Sequence, residues 1–131
     1  MSPRLLIVAA TLGAFAGSAC GGGGSVEGTA WVLESMGTDP LLTGSVVTLS
    51  FSSDTARGSG SCNEYFGEFE TEGDSIMFGP LASTHKACGE ALDQQEFAYL
   101  SALQSAETYE VSEGRLTIDY PGGVLSFAAA F

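Results

Sequence analysis

Three cysteines, one histidine and a row of alternating glutamates are the residues here whose types and spacing could carry chemistry. His85, the single histidine, supports no Ser-His-Asp or Cys-His arrangement, because nucleophilic catalysis needs a base in reach of a nucleophile and a third group to orient it. A metal site on Cys62, Cys88 and His85 lacks a fourth ligand and has no C-x-x-C spacing, which argues against tetrahedral zinc. Glu68, Glu70 and Glu72 alternate, so a strand would present them on one face. No D-x-D-x-D-G loop accompanies them to hold calcium. The row reads as a solvated face that discourages edge-to-edge pairing, with docking of a basic partner as the other reading. Phosphate loops and G-x-S-x-G elbows are absent, since Gly21 to Gly24 precede no helix. These residues predict a protein that is not an enzyme and that holds neither cofactor nor metal.

The remaining cysteine has a different setting. Residues 5–16 form an uncharged run of apolar and small residues behind Arg4, too short to span a bilayer but suited to an export signal. Gly17, Ser18 and Ala19 follow, then Cys20. The order resembles the lipobox of bacterial lipoproteins, which implies cleavage before Cys20 and a thioether-linked diacylglycerol on its sulfur. Gly17 departs from the aliphatic residue usual there, and a secreted protein without lipid is the alternative. Three segments result: a signal peptide at 1–19, a lipidated cysteine with a Gly/Ser linker at 20–28, and a folded domain at 29–131. The expected location is outside the cytoplasm, anchored to a bacterial membrane through Cys20. Two or more acyl chains hold a small domain on a bilayer essentially permanently, at about 0.8 kcal/mol per buried methylene.

With Cys20 assigned to lipid, Cys62 and Cys88 are an even pair, and outside the cytosol such a pair oxidises. The loop of 27 residues that such a bond would close gives about 3 to 4 kcal/mol in the chain-entropy model. That is a large share of the roughly 5 to 15 kcal/mol that a small domain has.

Composition narrows the partners. The 131 residues hold 16 Asp and Glu against four Lys and Arg. Removing Arg4 with the signal leaves Arg57, Lys86 and Arg115 and a net charge near −13. Nucleic acid is excluded, because phosphate binding needs clustered Lys and Arg. Adhesion to anionic lipid through a basic patch is excluded on the same ground.

The elements that must position these residues are mostly short strands separated by turn signals. Trp31 to Leu33 opens the domain. Residues 46–52 alternate, with Val47, Leu49 and Phe51 on the apolar face. Gly58 and Gly60 suggest a twisted strand leading to Cys62. Phe66, Phe69 and Thr71 run into the turn at Gly73, and 75–78 returns as the partner strand. Residues 108–111, 116–120 and 124–127 are further strands, joined at Glu113-Gly114 and at Pro121 to Gly123. Residues 90–105 break this rhythm: they lack Gly and Pro and put Leu92, Tyr99, Leu100 and Leu103 on one helical stripe. Glu96 falls on that stripe, so its carboxylate should be buried and should meet Lys86, Arg57 or backbone amides near the cysteine pair. The class is α+β, mostly β, with one helix between two groups of strands.

Gly60 to Cys88 carries a family likeness. The stretch G-S-C-N-E-Y-F-G-E-F, the hairpin E-G-D-S-I-M-F, then T-H-K-A-C and the helix with E-F-A-Y-L-S-A-L resemble the META/HslJ-like domain. Trp31, Leu33, Leu125 and Phe127 fit the same frame, so the likeness spans about residues 29 to 128. It implies a compact antiparallel barrel-like β domain with one packed helix, in lipoproteins loosely associated with heat-shock and antibiotic stress, and no cofactor. Ser61 departs from the frequent Gly. Asn63, Tyr65 and Gly67 invite a reading as a recognition patch; their ordinary reading is a bonded turn, a packed ring and a bend. The function that follows is a lipid-anchored binding or stress-support module contacting an envelope protein. A carrier or pilot for an apolar ligand or peptide, with a cavity lined by Phe69, Phe78, Leu100 and Phe127, is one alternative, and an inhibitor of an envelope protease is another.

Overall fold

The computed structural model describes residues 25–130. The expected export signal, Cys20 and Gly21 to Gly24 lie outside the described residues.

Alternating apolar residues build the strands and set which face turns inward. In chain order they are β1 (Ala30–Met36), β2 (Asp39–Pro40), β3 (Thr48–Ser52), β4 (Thr55–Ser59), β5 (Glu64–Glu72), β6 (Ser75–Phe78) and β7 (Ala82–Ser83). The helix α1 (Glu90–Gln104) follows, then β8 (Thr108–Ser112), β9 (Arg115–Tyr120) and β10 (Gly123–Ala129). Eight strands close an antiparallel barrel in the order β1-β3-β4-β5-β6-β8-β9-β10, with β10 returning to β1. Closure removes the free edges that an open sheet would expose. The two-residue β2 and β7 attach to β1 and β5. They are too short for any periodicity to announce them, and the sequence reading has neither.

Tight hairpins make the barrel from neighbours in sequence. Two residues join β3 to β4, β5 to β6, β8 to β9 and β9 to β10. Positive φ at Gly73, and at Glu113 and Gly114 together, gives turns whose twist matches that of the paired strands. One seam differs. Strands β6 and β8 share a single ladder pair, Ser75 with Thr108, because α1 is inserted in the chain between them.

The barrel interior is filled. Leu49, Phe51, Leu116, Ile118, Leu125 and Phe127 are buried on the inward faces. The rings of Phe51 and Phe69 lie 4.8 Å apart, and those of Tyr99 and Phe127 lie 6.4 Å apart. Val26 is buried as well, so packing begins just ahead of the domain boundary read at residue 29.

The helix carries Glu90 and Asp93 in its first turn, where the macrodipole favours acids. Its buried face is Gln95, Glu96, Tyr99, Ala102 and Leu103. This corrects the expected stripe: Leu92 and Leu100 are only half-buried. The rotation has a polar cause, since Gln95 Oε1 accepts from Leu42 N at 2.8 Å and Glu96 is anchored on the barrel.

Cys62 and Cys88 form a disulfide with Cα atoms 5.9 Å apart. It ties the start of β5 to the residue pair ahead of α1, and so fastens the helix-bearing connection to the barrel. Cys88→Ser should lower unfolding stability by about 3 kcal/mol, roughly 4–8 °C of thermal midpoint per kcal/mol for a domain of this size. Reduction of the wild type should reproduce the loss in a denaturant titration; equal stability in the two redox states would refute it.

Candidate functional site

The described residues contain one concentrated buried polar cluster, and Glu96 is its centre. Glu96 is 7% exposed and has no cation against it; among the described residues the one ion pair shown joins Arg115 to Glu34. Its Oε2 accepts from Asn63 N at 2.7 Å and from Cys62 N at 3.3 Å. Its Oε1 accepts from Asn63 Nδ2 at 2.7 Å. Of the partners expected, the amides beside the cysteine pair are present, whereas the Lys86 and Arg57 side chains are not. Charge-assisted bonds from backbone amides are strong enough to stand in for a counter-ion. Gly60 makes the approach feasible: a Cβ there would lie 2.4 Å from Glu96 Oε2.

Asn63 extends the cluster to the 84–86 segment. Nδ2 also donates to Lys86 O at 3.1 Å, while Oδ1 accepts from Thr84 Oγ1 at 2.8 Å and from Lys86 N at 2.7 Å. A side-chain amide has two donors and two lone pairs, so its capacity is fully used. Ser61, before Cys62, has φ of +86°, a left-handed backbone that glycine adopts without strain. That accounts physically for the glycine frequent there in the resembled family.

Tyr65 points inward. Its hydroxyl donates to Thr48 O at 2.6 Å and lies 2.6 Å from the Tyr99 hydroxyl. Burial pushes both phenols well above their ordinary range, and their mutual contact raises Tyr99 further. Gly67 has a backbone role: a Cβ there would meet Leu81 Cδ2 at 2.7 Å and Pro80 O at 2.8 Å. Asn63, Tyr65 and Gly67 therefore do not make a surface for recognition. Asn63 and Tyr65 are buried and internally bonded, and Gly67 seats the chain crossing β5.

Cys62, Cys88 and Asp93 bring one ligand atom each within 4.8 Å of the others. The sulfurs are joined to each other, so they are not the thiolates that bind metal. Asp93 Oδ1 instead accepts from Cys88 N at 3.0 Å. His85 is exposed, beside Lys86 at the rim of an open cleft that Phe97 also lines. Glu68, Glu70 and Glu72 are exposed on the outer face of β5, as expected. The four side chains expected to line a carrier cavity do not: Phe69, Phe78 and Phe127 are packed in the core, and Leu100 packs against it. The grooves among the described residues open on the outer surface.

Sequence reasoning missed Gln95, the Tyr65–Tyr99 hydroxyl pair and the Asn63–Thr84 bond. The sequence signal for the first was available, because Gln95 lies one turn from Tyr99 on the buried side.

A family model described as META domain matches residues 24–130. Two solved structures are similar in fold. An NMR structure of a protein from Burkholderia xenovorans has a TM-score of 0.68 at 24% identity, covering 99% of this chain and 97% of that one. A second NMR structure has a TM-score of 0.66 at 21% identity, covering 79% of this chain and 90% of the other. No curated protein sequence matches the chain significantly.

Glu96→Gln turns an acceptor into a donor that must face either the two backbone amides or Asn63 Nδ2. One buried donor is then unpaired, at a cost of about 1–3 kcal/mol. Calorimetry should show a midpoint several degrees lower with the disulfide intact; an unchanged midpoint would remove Glu96 from its central place. The tyrosine pair makes a second prediction. With folded pKa values above the ordinary 10.0, its contribution is complete below pH 10 and is lost as pH rises beyond it. Alkaline unfolding of Tyr65→Phe should therefore show a shallower pH dependence than wild type, and an identical slope would contradict the assignment.

Proposed function

The chain belongs to the META domain family, and from that premise we propose that it is a non-enzymatic binding module held on the outer side of a bacterial membrane by lipid on Cys20. One observation carries this reading. The buried polar groups that could do chemistry, Glu96, Asn63, Tyr65 and Tyr99, are all engaged in bonds that hold helix, barrel and the 84–86 segment together. A catalytic acid or base needs hydrogen-bond reach to a substrate, and this carboxylate faces inward with its oxygens occupied. Function then falls to the outer surface, which is acidic and interrupted by exposed Phe66, Met77 and Phe97. The lipid supplies location, and the disulfide suits an oxidising compartment.

The partner is an envelope protein, and the setting suggested by the family likeness is heat and antibiotic stress. The anchor support is the apolar run ending in small residues and Cys20. Cys20→Ser should move the protein from the membrane fraction to the soluble one. Intact mass of the wild type should show a diacylglyceryl group at Cys20. In a strain deleted for this chain, wild type but not Cys20→Ser should restore growth under heat or antibiotic challenge. An unacylated wild type in the soluble fraction would defeat the proposal.

A further inference from the structure

The barrel is least tightly joined between β6 and β8. Beyond the Ser75–Thr108 pair, with Ile76 N donating to Glu107 O at 3.1 Å and Tyr109 N to Asp74 O at 2.9 Å, β6 has no strand on that side. The chain leaving α1 runs there instead. An open groove of about 330 Å³ lies at this seam. Half-buried Ala106 contributes apolar surface to it, while Ile76, 2% exposed, turns into the core behind it. Met77 lines it and is 66% exposed, an adaptable apolar side chain of the kind used on binding surfaces. Glu70, Glu72 and Glu107 line the same groove, and none of Arg57, Lys86 and Arg115 does.

We propose that this groove docks an extended segment of a basic polypeptide, one that alternates Lys or Arg with apolar side chains. The inference rests on the binding-module reading and names its surface and the chemistry of its partner. Three physical features select the occupant. The groove offers apolar contact at Met77 and Ala106 while its carboxylates have no cation beside them, so a cation flanking an apolar group complements it. Glu70 and Glu72 project from one strand two residues apart, about 7 Å, which is also the spacing of alternate side chains in an extended peptide. The net charge near −13 of the mature chain steers cationic partners toward the surface and repels acidic ones. A second copy of this chain does not fit, because its three mature basic residues are single and widely separated in sequence.

The test uses the full chain in neutral phosphatidylcholine nanodiscs and the Cys20→Ser form in solution, so loss of the anchor and loss of docking are read separately. The probe is an amidated peptide alternating Lys and Val, with a Glu/Val peptide as control. Amide NMR shifts should move at Met77, Ala106 and Glu107 with the Lys peptide and stay in place with the Glu peptide. Reversal at the groove, E70K/E72K/E107K, should weaken binding at least about tenfold. Reversal of three exposed acids away from it, D39K/E64K/E113K, changes net charge equally and should weaken binding less than about threefold. Met77→Ser, which removes no charge and sits on the surface, should weaken it severalfold. Equal losses in the two charge-reversed proteins, shifts centred on Arg57 or Phe97, or no shift with the Lys peptide would overturn the proposal.

Discussion

The carboxylate of Glu96 on the amides of Cys62 and Asn63 is the contact on which the arrangement of this domain depends. Apolar burial draws α1 onto the barrel by its Tyr99, Ala102 and Leu103 side, but being non-directional it does not choose the helix's exact rotation about its own axis. A buried carboxylate does choose, because it must meet donors, and the donors nearest are fixed by the chain just ahead of β5. Gly60 leaves room for it, the left-handed Ser61 aims the amides, and the disulfide holds the other end of the connection in register. The helix is therefore turned so that Gln95 and Glu96 are inside and Phe97 is outside, an orientation that apolar content alone would not select.

The same insertion of α1 shapes the barrel. Four two-residue hairpins give long ladders between sequence neighbours, such as the six pairs between β9 and β10. The chain between β6 and β8 must leave the barrel, form the helix and return, and only one ladder pair is made on its return. Tyr99 enters the core from the helix and meets Tyr65 and Phe127. Thr48 O, which accepts from the Tyr65 hydroxyl, lies where Gly58 brings β4 close: a Cβ on Gly58 would be 2.1 Å from that oxygen. Side-chain hydroxyls thus complete the backbone bonding where regular pairing ends, which buried carbonyls require.

Much of this was legible in the residues. Strict alternation in β3 and β9, and the turns at Gly73 and Glu113-Gly114, specify strands and hairpins because a period of two leaves only one register with a buried face. The Cys62–Cys88 pair follows from assigning Cys20 to lipid, and Glu96 stands out as an acid on an apolar stripe. What stayed hidden depends on tertiary detail. The donors chosen by Glu96 were hidden because backbone amides carry no sequence signal, whereas lysine and arginine do. Positive φ at Ser53 and Ser61 was hidden because those residues are not glycine. Leu92 and Leu100 read as core by type, yet the polar anchor rotates them to its margin.

Charge gives the outer surface its character. Arg115 pairs with Glu34 across exposed side chains, a contact of little energetic weight in water. The 16 acids, all within residues 25–130, are far too numerous for Arg57, Lys86 and Arg115 to neutralise, so the domain repels itself. Self-repulsion of this kind destabilises a compact state, and a cross-link that constrains the unfolded chain offsets it without using any surface group. On the proposed anchor, the same charge also opposes contact with anionic lipid within a Debye length of about 8 Å at physiological salt. A lipid at one end and a repelled domain at the other favour an orientation that leaves the barrel wall facing solvent and open to a cationic partner.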